Sequence, residues 1–103
     1  MPALTQLIGF VTTTNPARAR AFYEGVLGFR LLGEDDYALV FDANGSMVRV
    51  NKAKSFTPAQ GTVMGWEVED IYAAIGELVP RGVVFQQFEL PFMKQDEHGV
   101  WQP

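Results

Sequence analysis

Apolar and polar residues follow two periods along this chain. The run from Leu7 to Thr14 is apolar and β-branched, the pattern of a strand. Behind it, Asn15 is a side-chain acceptor suited to cap a helix, Pro16 fits the first helical position, and Gly28 can take a left-handed stop. Between these marks Ala19, Phe22, Tyr23, Val26 and Leu27 recur at the three-four spacing of one helix face, turned toward a sheet. Alternation then predicts a meander: Phe29 to Leu32, a polar turn over Gly33 to Asp36, Tyr37 to Phe41, an Asn44-Gly45 hairpin, and Met47 to Asn51.

The same plan returns. Val63 to Val68 reads as a short strand, Asp70 as a cap, and Ile71, Ala74, Ile75, Leu78 and Val79 as the stripe of a second helix. Pro80, Arg81 and Gly82 end that helix, and Val83 to Phe85 open another strand. Asp70 thus answers to Asn15 and Gly82 to Gly28. Aligning the apolar stripes instead of the caps needs a slip of about one turn, so the repeat is architectural and its sequence identity weak.

The string Phe22-Tyr23-Glu24-Gly25-Val26-Leu27-Gly28-Phe29, set between one strand and three more, resembles the glyoxalase/bleomycin-resistance/dioxygenase superfamily, whose fold is called vicinal oxygen chelate. The resemblance covers Leu4 to Asn51 well and Thr62 to about Phe88 more loosely. It implies an α+β fold of two tandem βαβββ modules, the second incomplete, forming an open, cup-like mixed sheet with helices on the outer face. The domain would span residues 1–103, with module one at about 4–52, a linker at 53–61 and module two at 62–103. After Phe88 the chain is turn-rich and is expected to end before a further hairpin. A sheet without that hairpin would expose edge groups, so either a longer natural chain or a partner, such as a second copy in a homodimer, is expected.

Composition narrows the function. With 103 residues, 48% of them apolar and 13% aromatic, the chain can bury a modest core without staples. Zero cysteines exclude disulfides, thiolate metal sites and thiol catalysis. A net charge of −4, with basic residues scattered, gives no phosphate-tracking stripe and argues against nucleic acid. No apolar run reaches membrane-spanning length and no signal-like segment stands at the start, so the expectation is a cytoplasmic protein without a membrane partner.

Metal chemistry divides the family, because an ion that polarises vicinal oxygens needs several N or O ligands around open positions. Carried over by register, the resemblance places its ligands on Ile8, Arg49 and Val63, with the remaining one beyond Pro103. A slip of one does not restore the set, since Leu7, Gly9, Val48, Val50, Thr62 and Met64 have no suitable side chains. No cofactor and no divalent metal are therefore expected. The one histidine, His98, reads as a solvated loop residue, and Asp35, Asp36, Asp96 and Glu97 read as turn carboxylates.

Alternation assigns Gln6, Ile8, Phe10, Met47, Arg49, Asn51, Val63 and Glu67 to the cup. That lining suits a small, partly apolar and planar molecule, with Arg49 as anchor for an anionic group. Arg49 and Glu67 have a plainer reading as charges on the wet face of a sheet, paired with each other. Phe22, Tyr23 and Trp66 read as core. Three functions remain open: metal-independent binding of a small molecule, a metal-dependent lyase, isomerase or dioxygenase of the same superfamily, and a non-catalytic assembly module. Whether the chain is an enzyme is left open by its residues.

Overall fold

In the computed structural model, which describes residues 3–102, strands β1 (Ile8–Thr13), β2 (Arg30–Glu34), β3 (Ala38–Ala43) and β4 (Ser46–Lys52) form one sheet in the order β1-β4-β3-β2. β1 runs parallel to β4, and β2, β3 and β4 are antiparallel neighbours. This is a mixed α+β unit, as the resemblance implies. The chain clusters into two units, Met1–Trp66 and Glu67–Pro103. Met1, Pro2 and Pro103, the ends of the expected 1–103 domain, lie outside the described residues.

Helix α1 (Pro16–Arg20) starts where the sequence marks it. The Asn15 side chain accepts from the Arg18 N–H at 3.1 Å, and Pro16 occupies the first turn. From Ala21 to Val26 the helix widens into π geometry, with the Leu27 N–H bonded to the Phe22 carbonyl five residues back. A wider turn favours four-residue spacing. Ala19, Tyr23 and Leu27 consequently pack on the core, while Phe22, expected in it, stays 39% exposed and meets Tyr23 edge-on. Gly28 at φ +75° ends the element.

One face of the sheet is the core. Leu39, Phe41 and Val50 are fully buried, joined by Ala43, Val48, Phe29 and Ala19, with Val11, Leu31 and Met64 packed against them. Tyr23 lies 5.5 Å from Phe41 and 6.5 Å from Phe29, centroid to centroid. The β3–β4 turn places Asn44 at φ +57° and Gly45 at φ +100°, the pair of left-handed residues that a tight hairpin requires. Asp42 accepts from the Gly45 N–H and closes it.

The second unit departs from its expected pattern. Helix α2 (Ile71–Leu78) forms under an Asp70 cap that accepts from the Tyr72 and Ala73 N–H groups, and a 3₁₀ turn at Val79–Arg81 ends at Gly82 with φ +95°. The runs Val63 to Val68, which straddles the boundary of the two units, and Val83 to Phe85 nevertheless form no strand. An apolar run becomes a strand only when a neighbour supplies ladder hydrogen bonds, which local pattern does not guarantee. The tail differs in the opposite sense. Within the stretch expected to be turn-rich, β5 (Lys94–Gln95) and β6 (Trp101–Gln102) pair as a hairpin of two-residue strands. Side chains hold it: Asp96 accepts from the His98 and Val100 N–H groups, and the Gln95 amide donates to the carbonyls of Gln86 and Gly99. No described helix is long and apolar enough to cross a membrane.

Candidate functional site

The face of the sheet opposite the core is where β1 and β4 carry the residues assigned to the cup. Parallel pairing sets Ile8 beside Met47, Phe10 beside Arg49 and Thr12 beside Asn51, so these side chains share one face in three rungs. Arg49 and Asn51 are half-buried. The Arg49 Nε donates to the Asn51 Oδ1 at 3.2 Å, and no ion pair to Arg49 forms among the described residues. Asn51 thereby orients the guanidinium fork without neutralising it.

A groove of about 400 Å³ adjoins these rungs, lined by Phe10, Thr12, Phe56, Pro58 and Val63 among others. Two residues assigned from alternation, Phe10 and Val63, are brought together here, at 61% and 69% exposure. Val63 lines the groove, whereas Met64 packs on the core and Trp66 meets the Phe29 ring at 5.4 Å. The Met64 sulfur sits 3.3 Å from where a Gly9 Cβ would stand, so the absence of a side chain at Gly9 admits the segment.

The remaining assigned residues are placed differently. Gln6 spends its amide on the Gly45 carbonyl at 2.9 Å, where it ties the segment before β1 to the β3–β4 turn. Ile8 and Met47 form the rung at the start of β1. Glu67 is exposed at the start of the second unit. Sequence reasoning missed Phe56, Thr57, Pro58 and Ala59, which form one wall of the groove but read as linker because they follow no period. The signal was Phe56 itself, a large aromatic in a stretch otherwise made of small and polar residues.

The positions onto which metal ligands were carried present an aliphatic chain at Ile8, a cation at Arg49 and an aliphatic chain at Val63. None offers a lone pair, and the guanidinium repels a divalent ion. Among the described residues no group of three or more His, Cys, Asp or Glu side chains converges. These residues do not fit a metal, and no chemistry is routed through one.

Titratable groups cluster elsewhere. In the first unit, the backbone N–H groups of Tyr37 and Ala38 hold the Asp35 carboxyl below its usual range, and burial raises the Tyr23 hydroxyl. In the second, the Tyr72 hydroxyl donates to Asp96, which raises Tyr72 and lowers Asp96. His98 packs edge-on against Tyr72 and pairs with Glu97 at 3.4 Å in the turn where it was expected to be exposed.

Known proteins share this fold. A sequence profile for the Glyoxalase/Bleomycin resistance protein/Dioxygenase superfamily matches residues 5–87. Similar solved structures include TnmS3, an antibiotic binding protein from Streptomyces sp. CB03234, at TM-score 0.65 and 18% identity over 98% of this chain and 93% of that one. A putative glyoxalase family protein from Bacillus anthracis superposes at 0.61 and 21% identity over 98% and 94%. An integron cassette protein from the mobile metagenome of Halifax Harbour sewage outfall does so at 0.66 and 17% over 96% and 95%. No curated protein matches the sequence.

Proposed function

Because this chain belongs to the glyoxalase/bleomycin-resistance/dioxygenase superfamily, we propose that it binds a small, partly apolar molecule bearing an anionic group, and does so without a metal ion. The observation that carries this reading is the rung of Phe10 and Arg49 beside an open groove. Phe10, Val63 and Pro58 supply apolar surface, and the groove's volume lies within the usual range for small-molecule sites. Arg49 supplies a charge held by Asn51 on one nitrogen only, leaving its outer edge to grip a carboxylate in two parallel hydrogen bonds. The antibiotic-binding neighbour supports a role in sequestering such a compound. Exposed Leu7 just before β1, and Ile8 and Phe10 on it, support a homodimer, and a monomer in sedimentation at tens of micromolar would remove that part of the reading.

A thermal-shift screen of aromatic and aliphatic acids tests binding. A ligand at a hundred times its Kd raises stability by about 2.7 kcal/mol. With a hit in hand, Arg49→Ala is expected to weaken the anionic compound about 10- to 100-fold and its neutral amide little, the range of a lost charge-assisted hydrogen bond. Equal loss for both removes Arg49 from the site. Stoichiometric zinc, nickel, manganese or iron in the purified protein would overturn the metal-free mode.

A further inference from the structure

Two aromatic rings on the groove have no aromatic partner. Tyr23, Phe22, Phe29, Phe41 and Trp66 of the same unit all engage another ring, whereas Phe10 and Phe56 meet none among the described residues. Both line the groove, at 61% and 48% exposure. Their surroundings are built rather than loose. The Ala53 N–H bonds the Thr13 carbonyl at 2.9 Å, anchoring the segment three residues before Phe56, and Pro58 restricts the backbone just after it. Phe10 stands on β1 with its rung partner Arg49.

We infer that this groove selects flat aromatic carboxylates and that Phe56 is the residue that reads aromaticity, which rests on the binding function proposed above and specifies its ligand class. A planar ring seated against Phe10 and Phe56 gains offset or edge contacts that a saturated ring of similar size lacks, while the carboxylate extends past the groove's lining to Arg49, the rung neighbour of Phe10. Aliphatic walls at Val63 and Pro58 bury either ring alike, so the preference for flatness must come from the two phenyl groups.

The test uses 2-naphthoate and its decahydro analogue as probes, titrated by calorimetry into the wild-type chain, Phe56→Leu and, as control, Tyr37→Leu. Leucine keeps apolar area at position 56 but removes the ring, and Tyr37 is an exposed aromatic that does not line the groove. The expected result is a wild-type preference for naphthoate that Phe56→Leu reduces about 2- to 10-fold, with the saturated probe changed less than about 2-fold and Tyr37→Leu without effect. Equal affinity of the wild type for both probes, or equal weakening of both by Phe56→Leu, overturns the inference. If both probes bind equally and both depend on Arg49, the broader binding function survives. If neither binds, both readings fall.

Discussion

The first unit, Met1–Trp66, and the second, Glu67–Pro103, begin with the same punctuation and reach different ends. Each has an acidic or amide cap, a short helix and a left-handed glycine stop. In the first, four strands pair and bury Leu39, Phe41 and Val50 completely. In the second, two-residue strands pair and Ile75 alone is buried among the described residues. Its order comes from side-chain hydrogen bonds around Asp96 and Gln95. The comparison teaches that helix signals are local and survive, whereas strand signals need a neighbour to become structure.

Core truncations separate the units most sharply. Phe41→Ala, which empties a fully enclosed site, is expected to cost about 3–5 kcal/mol in urea unfolding, and Ile75→Ala about 2 kcal/mol because exposed surroundings can close over the gap. Comparable losses would show that the second unit has a core of equal worth. The caps should not differ in this way. Asn15→Ala and Asp70→Ala are each expected to cost about 1 kcal/mol, since each removes a side-chain acceptor from helix-start N–H groups. Thermal melts of the two variants read this directly.

Acid should reveal the smallest difference. Asp35 and Asp96 both have carboxyls lowered in the fold, Asp35 by the N–H groups of Tyr37 and Ala38, Asp96 first by the Tyr72 hydroxyl and then by Val100 and His98. A lowered folded pKa means stabilisation present above the ordinary carboxylate value of 3.8 and lost as pH falls through the depressed one. The His98 and Val100 amides are therefore expected to lose protection relative to their intrinsic exchange rates at the acid end, and Asp96→Asn to lower that protection at neutral pH without touching β3 and β4. Asp35→Asn should flatten the acid limb of the first unit's melting curve. Tyr72 acts in the other direction: raised above its ordinary value of 10.0, it contributes below that value and is lost as pH climbs through the raised one.

The shared face of β1 and β4 was readable because alternation is a strict rule in a paired strand. Ile8, Phe10, Met47, Arg49 and Asn51 fall on one face as their spacing demands, and Val63 opposes Met64 and Trp66 as expected. Gln6, assigned to the cup by alternation, gives its amide to the Gly45 carbonyl, a choice that no periodicity encodes. Phe56 was missed for the same kind of reason, since a segment without a period has no face until it is laid against something.

By itself the chain's sequence determined the helix caps and stops, the Asn44-Gly45 hairpin, the strands of the first sheet and the lack of metal donors at Ile8, Arg49 and Val63, because each depends on residue chemistry within a few positions. Tertiary structure alone decided the π-widened turn that leaves Phe22 outside the core, the failure of Val83 to Phe85 to pair, and the groove that sets Phe56 on the same cavity as Phe10. Those outcomes depend on what the segments pack against, and their free energies exist only once the partners have met.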